Sequence, residues 1–247
     1  MNNNCISDKN IEFENSPDKY QFKRNLNLEI LSKDFNKYDN GIYSYVLTTV
    51  TNENGNFKQW GCAPNFQGKY VTLTTCKHCM RSYKTPDEWS NMWIAGFGDL
   101  NIESKKNFLF YLMRIKIAFI SFKELWEFLN DDKETQKIKN SRYNPFGDIF
   151  EPKKEFSLND ELKMTENNFN FYHEPIDGHK HKDRNESWKK DIYSICKVTN
   201  RRPALLVGDE NNTFYWSKPM IYFKEKLPRN CILDKNIKDF VTKLREK

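Results

Sequence analysis

The stretch "FLFYLMRIKIAFISFKELWEFL", residues 108–129, constrains the fold more than any other because its apolar period changes part-way along. In its first half Leu109, Tyr111, Met113, Ile115 and Ile117 fall on one face and Arg114 and Lys116 on the other. That period of two predicts a half-buried strand crossing a core. From Ser121 the spacing becomes helical. Phe122, Leu125, Trp126 and Leu129 make one stripe, and Ser121 with Glu124 spells a capping box. A strand therefore feeds directly into a helix.

The rest of the chain fits that plan. "IYSYVLTTV" at 42–50 reads as a β-branched and aromatic strand, followed by a turn at "TNENGN". A loop punctuated by Gly and Pro leads to a second strand at Tyr70 to Thr74, and "MWIAGFGD" is a short strand ended by Gly96, Gly98 and Asp99. Late in the chain, strands are predicted at Ala204 to Val207, at Thr213 to Trp216 and after Pro219, with "GDENN" as the turn between the first two. Residues 1–40 form a polar N-terminal extension with one helix, in which Leu28, Leu31 and Phe35 are helically spaced and "DNG" at 39–41 is the stop. A last helix, capped by Asp234, buries Ile237, Phe240, Val241 and Leu244. Residues 41–247 then make a single α+β domain with a long polar insertion at about 130–191. Its sheet is mostly antiparallel and barrel-like, with flanking helices.

Composition narrows the function only a little. The net charge of +6 suits a polyanionic partner, but Lys and Asn are abundant throughout, so general compositional drift accounts for it equally well. The scarcer arginines, Arg81, Arg114, Arg142, Arg184, Arg201 and Arg202, carry more meaning, since a planar fork is not replaced by Lys at a bidentate site. No stretch approaches the roughly 20 apolar residues of a membrane span, and "MNNNCISDKN" lacks the apolar centre of a signal peptide. The dispersed cysteines, Cys5, Cys62, Cys76, Cys79, Cys196 and Cys231, suit a reduced, cytoplasmic protein without a membrane partner. There is no Walker motif, dinucleotide fingerprint or H-E-x-x-H, and no cofactor is expected.

The chemically densest stretch is "TTCKHCMRS", residues 74–82. Cys76 and Cys79 make one C-x-x-C knuckle, but a zinc site needs four ligands, and only Cys62, His78, His179 and His181 remain as candidates. A thioredoxin-type pair lacks its βαβ surroundings. As a nucleophile, Cys76 has Lys77, His78 and Arg81 to lower its thiol pKa. The bland alternative is a small buried residue at a strand end. "HEPIDGHKH" gathers His173, Glu174, Asp177, His179 and His181, as ligands, a general base or a polar surface loop. Trp60, Phe66, Tyr83 and Trp93 are stacking candidates or core residues.

The order "YSYVLTTV… APNFQGKYVTLTTCKHCMRSY… WIAGFGD… LFYLMRIKIAFISFKELW… RYNPFGDIFEP… PALLVGDENNTFYWSKP" resembles the second of the nucleotide modification associated domains, bacterial and phage proteins linked to DNA base modification. The likeness spans roughly Gly41 to Pro219. It places Tyr43 to Tyr45, Ala63-Pro64-Asn65, Thr72 through Lys77 with Arg81, Trp93, Gly96, Gly98, Gly147, Asp148, Phe214 and Tyr215 on the family's motifs. His78 stands where Pro is usual and Thr75 where Ala is usual, "GDIFEP" is an approximate match, and Cys79 is this chain's own. That removes the knuckle from the shared pattern, and no metal is expected. A looser likeness is to PUA-related modules that hold a flipped base in an aromatic pocket.

The resemblance implies a module that binds a nucleotide or a modified DNA or RNA base. Asn65, Trp93, the backbone at Gly96 and Gly98, Asp148 and Tyr215 would face the ligand, and Arg81 and Lys77 would hold phosphate or the DNA backbone. Two alternatives stay open. One is an enzyme acting on a nucleotide or base through Cys76 with Lys77 and His78; the other is a non-catalytic scaffold subunit of a modification or defence system.

Overall fold

The structure is a computed structural model and describes residues 17–35, 40–98, 106–179, 187–228 and 231–247. Asp39, Asp99, His181, Arg184 and residues 1–16 of the N-terminal extension lie outside the described residues. In chain order the strands are β1 (Lys23–Arg24), β2 (Ile42–Leu47), β3 (Val50–Glu53), β4 (Asn56–Gln59), β5 (Thr72–Leu73), β6 (Trp93–Gly98), β7 (Leu109–Phe119), β8 (Leu205–Tyr215), β9 (Ile221–Phe223), β10 (Ile232–Asp234) and β11 (Leu244–Glu246). The helices are α1 (Leu28–Phe35), α2 (His78–Arg81), α3 (Pro86–Trp89), α4 (Phe122–Phe128), α5 (Lys133–Lys139), α6 (Leu158–Leu162), α7 (Ser187–Tyr193) and α8 (Ile237–Thr242).

The class is α+β. Seven strands form one sheet in the order β1-β8-β7-β6-β2-β10, with β5 also on β8. The pairs β8–β7, β7–β6, β2–β10 and β5–β8 are antiparallel; β1–β8 and β2–β6 are parallel. The sheet is therefore mostly antiparallel. Its two ends, β1 and β10, do not pair among the described residues, so it is open rather than closed into a barrel.

β7 sits at the centre, and a bulge there alters the expected face. Opposite Gly96/Phe97 the register skips Phe110, which turns Leu109 to the face opposite Tyr111, Met113 and Ile115. Both faces at this end are covered. One holds Tyr45, Phe66, Tyr111 and Tyr215; the other holds Leu109, Leu112, Trp93 and Phe214 against α1 and α8. A third cluster gathers around Leu205 and Val207, where α4 meets Ile149, Phe150, Tyr172 and Trp188 of the long insertion.

Three local expectations are corrected. "GDENN" is not a turn between two strands. β8 runs unbroken from Leu205 to Tyr215, and residues 209–212 form a bulge opposite the step from Met113 to Ile115. The Asp209 carboxylate holds the bulge by accepting from the Asn211 amide and from Asn212. At α4, Ser121 accepts from the Lys123 and Glu124 amides, but the carboxylate completing the cap is Glu161 of α6, bonded to Ser121 and to the Phe122 amide. At α8 the cap is Asn236, accepting from the Asp239 amide at 2.9 Å, while Asp234 ends β10 and pairs with Lys243.

Gly96 shows how tightly the centre is packed. A Cβ there would sit 2.1 Å from the Tyr111 ring and 2.7 Å from Leu47. Gly96→Ala is therefore expected to lower stability by about 1–3 kcal/mol or more through overpacking. A lowered urea midpoint with an unchanged slope would report it.

Candidate functional site

The turn from β5 into α2 is the unusual backbone of the molecule. Cys76 (φ 59°) and Lys77 (φ 49°) are consecutive non-glycine residues in the left-handed region, a conformation that persists only where the surroundings enforce it. Arg81 does the enforcing. Fully buried, it donates from Nε to the Cys76 carbonyl at 2.8 Å and from Nη1 to the Ala204 carbonyl at 2.6 Å. Burial lowers its guanidinium pKa to about 10, with Asp191, Cys76, Tyr45 and Asp148 acting the other way.

This turn closes a recess of about 70 Å³ at the carboxyl end of β2, walled by Tyr45, Leu47, Thr49, Cys62, Cys76 and Lys77. The Lys77 ammonium lies 5.0 Å from the centre of the Tyr45 ring. The Tyr45 hydroxyl is hydrogen-bonded to Tyr111 at 2.8 Å. Beside the recess, the Asn54-Gly55 turn closes the β3–β4 hairpin, both residues with positive φ as such a tight turn requires. Trp60 follows β4 directly and precedes Gly61 of the recess wall. It is 51% exposed. Its indole donates to Thr51 at 3.0 Å, and Lys58 lies 4.0 Å over its ring.

The cysteine chemistry differs from expectation. Solvent reaches Cys76, yet dense packing raises its thiol pKa, and Asp191 adds to the rise. Arg81, Thr75 and Lys77 oppose this without reversing it. His78 does not assist, because its Nε2 is paired with buried Asp191. The neighbouring basic residues therefore do not make Cys76 a thiolate at neutral pH. Cys79 does not face Cys76 either; its sulfur lies 2.7 Å from that of Cys196. No group of three or more His, Cys, Asp and Glu side chains that could hold a metal occurs among the described residues.

Of the other residues expected at a site, most are inside. Trp93 is fully buried, edge-on to Phe35 at 4.7 Å, and cannot offer a face to a ligand. Gly96 makes room for Tyr111. At Gly98 the amide donates to Phe108 and the carbonyl accepts from Asn107, so this backbone is already used. Tyr215 is buried against Phe66. Asn65, next to a cis Ala63–Pro64 bond, is committed internally, donating to the Phe146 carbonyl and accepting from the Gln67 amide and Lys139.

Asp148 lies in the same interior network. Its Oδ2 accepts from Thr72 and Thr74 at 2.7 and 2.8 Å, while Oδ1 has no partner among the described residues. Burial raises its pKa, opposed by Lys139 and the two threonines. Of the residues expected to catalyse or to line the pocket only Cys76, Lys77 and His78 can meet a ligand, with Arg81 behind them; of the stacking candidates Trp60 and Tyr83 are exposed. Asp191 and Lys139 went unpredicted, since Asp191 lies far along the chain from His78, and Lys139 from Asn65 and Thr72.

No family model, curated protein or solved structure matches the chain. Among the described residues no helix is long and apolar enough to cross a membrane.

Proposed function

We propose that the protein binds a nucleotide or a modified nucleic-acid base, in a DNA-modification setting, without turning it over. The observation that carries this reading is the recess at the carboxyl end of β2, with a braced, exposed Trp60 next in sequence to Gly61 of its wall. A fixed indole offers a base the π-face that Lys58 does not cover, and Lys77 supplies positive charge for phosphate.

Size decides how such a ligand sits. A recess of about 70 Å³ is well below the ~300–1,000 Å³ that encloses a drug-sized molecule. A whole flipped base therefore does not fit inside; it stacks outside on Trp60 while a small substituent enters. The membership in the nucleotide modification associated family and the PUA-related likeness belong to this same proposal, taken with an open sheet. A raised Cys76 thiol and an engaged His78 count against the catalytic alternative.

The test is a thermal-shift and titration series with nucleoside monophosphates, nucleotides substituted at the pyrimidine 5-position, and short single-stranded DNA. One stacked base is worth about 1–3 kcal/mol, so Trp60→Ala is expected to weaken binding by roughly 5- to 150-fold while leaving the melting temperature of the free protein unchanged. Affinity should fall as salt rises, less steeply in Lys77→Ala. Equal affinity of wild type and Trp60→Ala, or recovery of a chemically altered nucleotide, would overturn the reading.

A further inference from the structure

The structure points to a second reactive centre on the far side of α2. We infer that Cys79 and Cys196 form a dithiol site that a peroxide oxidises to an intrachain disulfide, fastening α2 to the 196–201 turn. The two sulfurs are 2.7 Å apart, inside ordinary sulfur contact and approaching the roughly 2.05 Å of the covalent bond. Cys79 is exposed and Cys196 is buried, so the pair has one sulfur open to solvent and one shielded.

The surroundings fix both thiols. Ser82 donates to the Cys79 carbonyl at 2.7 Å and accepts from Thr199 at 2.8 Å, joining the end of α2 to the turn. Within that turn the Cys196 amide donates to Arg201 and the Asn200 amide to Cys196. Burial works to raise the Cys196 thiol, but bonds from the Cys79 thiol and from the Thr199 and Val198 amides outweigh it and bring it down to about 6. The bond to Cys196 is the main cause that takes Cys79 up to about 11. These opposite shifts favour a thiolate on Cys196 beside the Cys79 thiol, and the thiolate is the form that reacts with peroxides.

The chemistry balances with hydrogen peroxide as oxidant. The thiolate sulfur attacks one peroxide oxygen, the O–O bond breaks, and a sulfenic acid and hydroxide result. The hydroxide takes the remaining thiol proton and becomes water. The second sulfur then attacks the sulfenic sulfur, the S–S bond forms, and hydroxide leaves. Two sulfurs are oxidised by one electron each, and the peroxide is reduced to water and hydroxide.

The experiment uses the full chain, reduced, desalted and treated with hydrogen peroxide, then mapped by mass spectrometry without reduction. The expected result is an intact mass lower by two hydrogens and a peptide pair joined through Cys79 and Cys196. Cys79→Ser, an exposed substitution, should abolish the cross-link and leave Cys196 as an oxidised acid trapped by a sulfenic-specific reagent. Cys231→Ser, which removes another thiol whose charge reaches Cys79, should leave the cross-link intact. Free Cys79 and Cys196 after peroxide treatment of the wild type would overturn the inference, as would pairing of either one with Cys231 or Cys76.

Discussion

Lys139→Met is expected to cost about 3–5 kcal/mol of folding stability, because it removes one member of a buried charged pair and leaves the other. The Lys139 ammonium is fully buried and donates to the Asn65 carbonyl and side chain at 3.0 and 3.1 Å and to Thr72 at 2.9 Å. Thr72 passes its own hydrogen to Asp148, so one hydroxyl links the cation to the anion. The network joins α5 and the "FGD" turn of the insertion to β5, the strand that leads into the left-handed turn. Asp148→Asn in the Lys139→Met background should recover part of the loss, since the uncompensated charge disappears; strict additivity of the two losses would show that the residues are not coupled.

A pH signature accompanies this prediction. Burial depresses Lys139 to about 8, with Asp148 acting in the opposite direction. The unfolded value is about 10.4. Between those values the unfolded chain binds more protons than the folded one, so this group makes stability rise with pH across the window. Denaturation midpoints of the wild type at pH 7.5 and 10, compared with those of Lys139→Met, isolate this contribution. The variant should lack that rise. An identical pH dependence in both proteins would mean that Lys139 titrates normally in the fold.

What could be read from the sequence followed its periodicities. β7 and α4 were legible because alternation and a helical stripe are local signals, and so was the Asn-Gly hairpin turn. The bulge that moves Leu109 to the other face was not, because it depends on the partner strand at Gly96/Phe97. The "GDENN" stretch has the composition of a turn, yet strand pairing on both sides draws it into β8 and side-chain bonds from Asp209 satisfy it there. The capping glutamate of α4 comes from forty residues further along, at Glu161. At the site, "TTCKHCMRS" located the turn and its reactive residues. The partners that decide their chemistry, Asp191 and Cys196, lie more than a hundred positions away. Neither residue carries a sequence signal, so proximity alone predicted a lowered Cys76 thiol where burial in the fold raises it.

Arg81→Met is the second large effect, expected to lower stability by about 3–5 kcal/mol through loss of two charge-assisted hydrogen bonds and of a buried countercharge. The side chain spans two elements, from the carbonyl of Cys76 to that of Ala204 just before β8, and its own carbonyl accepts from the Trp89 indole at 3.0 Å and the Ala204 amide at 3.1 Å. Arg81→Lys should not rescue it, because a single ammonium cannot reproduce bonds from Nε and Nη1 in fixed directions. The two variants separate charge from geometry at the recess. Arg81 lowers the Cys76 thiol pKa, against the larger effect of burial. The pH at which Cys76 becomes alkylated by iodoacetamide should therefore move upward in Arg81→Met and less so in Arg81→Lys, which keeps the charge. Urea midpoints near the wild type in both variants would mean that Cys76 and Lys77 hold their left-handed backbone without Arg81. In that case the recess would owe its shape to the β2–β3 connection and the cis-proline loop alone.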